Sequence, residues 1–130
     1  MTPTTGRPPR LTGSTMLRGE IRLTDLDPAR AGEANKRRPA VVVSNDHANA
    51  TAARLGRGVV TVVPLTSNVA HVYPFQVLLP AEDTGTQVDS KAQAEQIRSV
   101  SVERLGPVIG RVPTHLMTQL DEALRLHLHL

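Results

Sequence analysis

Read for the alternation of apolar and polar positions, the chain begins as short strands and ends as a helix. From Arg18 to Asp25, Ile21, Leu23 and Asp25 lie opposite Glu20, Arg22 and Thr24, which predicts a half-buried strand. The following LDPARAGEANKR, with Pro28, Gly32 and Asn35, reads as a long loop. Pro39 opens a central strand through Val43, and its ring excludes Arg38 from the helical region, holding that residue extended. Asn45 or Asp46 is placed to cap a short helix through Ala53, which Gly56 and Gly58 end. Val59 to Leu65 predicts a second central strand and Tyr73 to Leu79 a third, with shorter strands around Gln87 to Gln93 and Gln96 to Val100. After Pro113 the apolar residues change period: Leu116, Leu120, Leu124 and Leu128, joined by Met117 and Ala123, form a helical stripe with Thr114 as a possible cap. Several short antiparallel strands plus two helices predict a mainly β fold, a small SH3-like barrel or a compact sandwich, closed by the C-terminal helix. No alternating βα units, no GxxxxGK[ST] and no GxGxxG segment are present, so nucleotide-cradling folds are excluded.

Composition narrows the chemistry. A chain of 130 residues with 39% hydrophobic content can bury one core, and we expect a single domain over residues 16–130. Without cysteine there is no disulfide, thiolate nucleophile or cysteine-bound zinc, and a reducing cytoplasm fits. Of the five histidines, His127 and His129 close the chain in LHLHL, while His47, His71 and His115 are scattered without metal-ligand spacing, so no metal or other cofactor is expected. Residues 1–15, MTPTTGRPPRLTGST, read as a disordered leader or short mobile arm with no secretory or membrane-inserting segment, and Met16 is an alternative start. Charge is uneven: up to residue 38 there are eight basic residues against four acidic ones, and thereafter seven against eight. An anionic partner, nucleic acid or an acidic peptide, suits the basic front.

Two valine runs end in hydroxyl and amide side chains, RRPAVVVSN at residues 37–45 and VVTVVPLTSN at residues 59–68. Branched side chains suit buried strands but do not explain those polar ends. Taken singly, an arginine before a strand proline is a surface charge, Thr-Ser-Asn is turn chemistry, and Asn45 is a helix cap. Taken in order, RGE (Arg18–Glu20), DLDP (Asp25–Pro28), RRPAVVVSND (Arg37–Asp46), VVPLTSN (Val62–Asn68), EQIRSV (Glu95–Val100) and LDEALRLHL (Leu120–Leu128) resemble the MazF/PemK family of toxins from toxin–antitoxin systems, across residues 17–128. The resemblance implies an SH3-like barrel, a homodimer, and a metal-independent endoribonuclease that cuts single-stranded mRNA at short sequences and is restrained by an acidic MazE-like antitoxin. It implies attack by the RNA 2′-hydroxyl, leaving a 2′,3′-cyclic phosphate and a 5′-hydroxyl, with Arg38 as the catalytic arginine and Thr66 as the catalytic threonine.

An arginine suits this chemistry as a planar fork of donors on the phosphorane oxygens, because deprotonating a guanidinium of pKa above about 12 is costly. Glu33 and Glu95 are then candidates to take the 2′-hydroxyl proton, and His71, beside the VPLTSN turn, is a lesser one. Lys36, Arg37, Asn45, Ser67, Asn68, Gln96 and Arg98 are candidate RNA contacts. Two positions depart from many relatives: Arg22 stands where an aromatic residue is common, and Ala31 and Gly32 replace a Gly-Ser pair. With Tyr73 and Phe75 the only aromatics, base stacking is not expected to dominate the readout. The same barrel also suits a CcdB-like gyrase poison or a non-catalytic nucleic-acid-binding module, which the joint presence of RRP and PLTS disfavours.

Overall fold

A computed structural model describes residues 15–26 and 37–130. Apart from Thr15, the expected leader lies outside the described residues, as do residues 27–36, which include Glu33, Lys36 and most of the expected loop. In chain order the elements are β1 (Glu20–Asp25), β2 (Arg37–Val42), α1 (Asp46–Leu55), β3 (Val59–Thr66), β4 (Gln76–Leu79), α2 (Ala81–Thr84), β5 (Ser90–Gln93), β6 (Arg98–Ser101), β7 (Leu105–Arg111) and α3 (Thr114–Leu128), with single 3-10 turns flanking β6.

The seven strands form one antiparallel sheet in the order β4-β5-β3-β2-β1-β7, with β6 on β3 as well. The mainly β fold with a terminal helix is as expected, but the strand order is a path with two ends and not a closed ring of hydrogen bonds. The ends are brought near each other by packing: a Cβ built on Gly110 of β7 would lie 2.7 Å from the Thr84 carbonyl oxygen at the end of α2.

Both faces of the central strands are covered, which is why the valine runs are continuous instead of alternating. Val41, Val43, Val63 and Leu65 face one cluster with Leu116, Leu120 and Ala123 of α3, whereas Ala40, Val42, Val60 and Val62 face a second with Ala52 of α1 and Val100. Each fully buried valine contributes about 1.5–3 kcal/mol. Pro64 is tolerated in the middle of β3 because the strand changes partner there. Its other edge pairs with β6 over Val59–Val62 and with β5 at Leu65 and Thr66. A residue without an N–H sits at that corner without breaking a ladder.

Several expectations are corrected. Alternation in β1 fails, because Glu20 and Thr24 are buried alongside Ile21. Arg22 covers that edge, giving hydrogen bonds to Glu20 Oε1 at 3.0 Å, Gly106 O at 3.0 Å and Thr15 O at 3.1 Å. Strand β4 starts at Gln76, not Tyr73, because Gln76 N donates to Tyr73 O at 2.8 Å and closes a turn. The strands expected around Gln87–Gln93 and Gln96–Val100 are shorter, Ser90–Gln93 and Arg98–Ser101. Thr114 is the first residue of α3 and not its cap, Pro113 holding that position without a side-chain bond. Leu128, the last member of the expected stripe, is 45% exposed. Asn45 does cap α1, its Oδ1 accepting from Ala48 N at 2.8 Å, and Gly56 ends the helix in the left-handed region.

Candidate functional site

Arg38 and Thr66 meet because β2 and β3 run antiparallel. Ala40 lies opposite Pro64. Beyond that pair Arg38 remains on β1, opposite Thr24, while Thr66 is paired with Lys91 of β5. The start of one valine run is thereby set beside the end of the other. Together Arg38, Pro39, Leu65, Thr66, Ser67, Val88 and Ser90 line a cleft of about 290 Å³. A larger cavity of about 520 Å³ shares Pro39, Leu65, Val88 and Ser90 and continues past Leu23 to Ile109, so that the cleft opens into a groove.

The groups at the mouth suit an anion. Arg38 is exposed. Thr66 is half-buried, and its Oγ1 accepts from Asn68 N at 3.2 Å. A hydroxyl has one proton to give and lone pairs to receive, so this contact orients Thr66 while leaving its own proton available to a ligand oxygen. The Asn68 carboxamide is used locally, Oδ1 accepting from Ala70 N at 3.3 Å. Ser67 is exposed on the cleft wall.

Other candidate residues lie elsewhere. Arg37 is paired with Asp25 in the β1–β2 register. Its guanidinium reaches towards β7, where a Cβ on Gly106 would sit 2.7 Å from Nη1. Asn45 is spent on the α1 cap. Gln96 is exposed on the 3-10 turn before β6, and Arg98 Nη1 donates to Leu26 O at 2.8 Å. Neither lines the cleft. Glu95 accepts from Gln76 Nε2 at 2.8 Å through Oε2, while its Oε1 is buried without a partner. Glu33 and Lys36 lie outside the described residues. Among the described residues no cluster of three or more His, Asp or Glu is arranged to hold a metal ion.

Lys91 was missed by the sequence reading. It is 7% exposed, its Nζ donates to His71 O, and that nitrogen lies 5.7 Å from the centroid of the Tyr73 ring. A lysine inside an expected strand was the available signal, but only the register shows that it stands beside Thr66.

Fold and site together define a small mainly β protein with a cleft lined by Arg38 and Thr66 near the meeting of two central strands. Residues 17–128 match the PemK-like, MazF-like toxins of type II toxin–antitoxin systems, and the chain belongs to that family. It is 71% identical over 115 residues to endoribonuclease MazF9 of Mycobacterium tuberculosis, covering 88% of this chain and 98% of the relative. With endoribonuclease EndoA of Bacillus subtilis the identity is 31% over 114 residues, covering 87% and 94%. Among solved structures, a MazE–MazF structure from Deinococcus radiodurans (form II) aligns with a TM-score of 0.68 at 24% identity, covering 89% of this chain and 97% of that one. A mycobacterial endoribonuclease in complex with its cognate antitoxin aligns at 0.67 and 24%, covering 89% and 97%. At that identity both similarities concern the fold alone.

Proposed function

We propose that this endoribonuclease toxin cuts single-stranded mRNA at the Arg38–Thr66 cleft without a metal ion. The observation that carries the reading is the cleft that Arg38 and Thr66 line together. The RNA supplies its own nucleophile. The 2′-oxygen forms a bond to phosphorus as the bond to the 5′-oxygen breaks, so no metal-activated water is required. One proton leaves the 2′-hydroxyl and one is gained by the departing 5′-oxygen, giving a 2′,3′-cyclic phosphate and a 5′-hydroxyl. Arg38 holds two equatorial oxygens as charge builds on them, and Thr66 donates to the phosphate. Glu95 is engaged by Gln76. Glu33, which precedes β2 in sequence, is therefore the carboxylate we assign to accept the 2′-hydroxyl proton. Lys36, Arg37, Ser67 and Asn68 flank the cleft in sequence and extend the path of the RNA, while Asn45, Gln96 and Arg98 are more distant contacts.

The reading includes partners. Leu126, Leu128 and Leu130 are 57%, 45% and 85% exposed at the end of the chain, an apolar surface suited to a second protomer in a homodimer. The basic front of the chain suits an acidic antitoxin of the MazE kind. Among the described residues no helix is long and apolar enough to cross a membrane, and the substrate places the toxin's action in the cytoplasm. The purified protein should cleave RNA in EDTA and leave 5′-hydroxyl ends. A magnesium requirement, 5′-phosphate products, or poisoning of gyrase with RNA left intact would overturn the reading.

A further inference from the structure

The chain has one tyrosine, one phenylalanine and no tryptophan, a composition that argues against recognition by stacking. The fold nevertheless gathers both aromatic residues and a histidine near Lys91, the strand partner of Thr66. In the loop between β3 and β4, alternate residues His71, Tyr73 and Phe75 stack in sequence. The His71 and Tyr73 centroids are 6.3 Å apart at 29°, and those of Tyr73 and Phe75 are 5.5 Å apart at 4°. Phe75 is half-buried at the inner end, Tyr73 is 51% exposed, and His71 is exposed at the outer end.

This stack is held from beneath. Lys91, buried and paired with Thr66, donates to His71 O and lies under the Tyr73 ring. Buried Gln76 accepts from Tyr73 N at 3.2 Å through Oε1 and donates to Glu95 Oε2 at 2.8 Å through Nε2. A loop fixed in this way has already lost the freedom that binding would otherwise cost it. His71 is five steps along the chain from Thr66, at most about 18 Å of extended chain at 3.3–3.6 Å per residue.

We propose that His71 and Tyr73 form a stacking platform for an unpaired RNA base next to the cleaved phosphodiester, with Lys91 as the positioning residue that ties the platform to the Thr66 row. Every base has a π-face and stacks on aromatic rings with little regard to sequence, so the platform sets affinity and orientation more than it selects a base. The occupant is RNA and not another protein surface, because the exposed rings carry a buried cation under them whose strand partner, Thr66, lines the cleft with Arg38. The assignment rests on the RNA-cleaving reading of the Arg38–Thr66 cleft, and its test separates the two.

With no tryptophan present, tyrosine emission reports Tyr73 alone. A randomised single-stranded 2′-O-methyl RNA pool, which lacks the nucleophile and cannot be cut, should quench that emission saturably. Polyphosphate, which carries the charge without bases, should compete for the cleft without quenching. Tyr73→Leu should bind the pool about 5- to 150-fold more weakly. Tyr73→Phe, which keeps the ring, should bind as the unaltered protein does. The platform is overturned if the pool binds without quenching, if polyphosphate quenches equally, or if Tyr73→Leu binds normally. It is also overturned if dilution of the protein, and not RNA, changes the emission, since a second copy would then cover the rings. Loss of cleavage in Arg38→Ala with quenching intact supports both readings, whereas an unaltered protein that is quenched by RNA but cuts none removes the cleavage reading alone.

Discussion

The polar residues that end the two valine runs divide between structure and chemistry. Ser44 and Asn49 are structural. Asn49 is fully buried, its Nδ2 donates to Ser44 O at 2.7 Å, its Oδ1 accepts from Ser44 Oγ, and Ser44 Oγ accepts from Thr61 N at 3.0 Å. Asn49→Ala should therefore cost about 1–3 kcal/mol by leaving those groups unpaired, seen as a lower urea midpoint with an unchanged slope. Its kcat per folded molecule should be normal. Arg38 and Thr66 should behave in the opposite way. Arg38→Ala should lower cleavage about 10²–10³-fold with the urea midpoint unmoved, and Arg38→Lys should recover little because a point charge lacks the two-pronged fork. Thr66→Val should cost roughly 10-fold, the worth of one neutral hydrogen bond, and Thr66→Ser should restore it. Normal cleavage by folded Arg38→Ala would move the active site elsewhere.

At the scale of elements, β7 is the strand the sequence conceals. LGPVIGR holds two glycines and a proline and has neither clear alternation nor strand propensity. It is a strand because β1 needs a second neighbour, which it finds with two register shifts. Its glycines are there for approach: at Gly106 a Cβ would meet Leu23 O at 2.9 Å, and at Gly110 one would meet Thr86 Cγ2 at 2.7 Å. Gly110→Ala should push β7 from α2 and destabilise the protein by about 1–3 kcal/mol, measured as a lowered Tm. A Tm equal to that of the unaltered chain would mean that the two sheet ends are not packed through this contact. Strand β4 teaches the converse. Tyr73 and Phe75 have strand propensity, yet the Gln76–Tyr73 turn removes them from the sheet and leaves their rings free to stack.

For the whole molecule, the distribution of charge and apolar surface governs assembly. If the exposed leucines at the end of α3 are covered by a second protomer, light scattering should give twice the 14.0 kDa chain mass at micromolar concentration. A monomer that still cuts RNA would contradict the homodimer. An acidic antitoxin peptide should compete with RNA, and both should bind more weakly as salt rises, because both neutralise the same basic residues. Charge reversal at Lys36 and Arg37 with Arg38 intact should weaken the two ligands together. Full inhibition by the peptide with RNA affinity unchanged would instead require separate sites.

The sequence by itself determined what is local. Alternation and valine runs placed β2, β3 and α1, Asn45 announced its cap, and the period of Leu116, Leu120 and Ala123 announced α3. The ordered motifs carried the family and singled out Arg38 and Thr66 before any contact was known. Tertiary structure alone decided what depends on partners far along the chain. The strand pairings set Lys91 beside Thr66 and brought Thr66 to one cleft with Arg38, covering both sheet faces buried consecutive valines, and Arg22 closed over Glu20 so that the pattern of β1 no longer matched its burial. Side-chain period records which way a residue points from its own backbone, whereas burial and stacking depend on what the other strands bring to that side. Two aromatic residues therefore look too few in composition and become, with His71, a continuous stack only once a buried lysine and glutamine fix the loop that carries them.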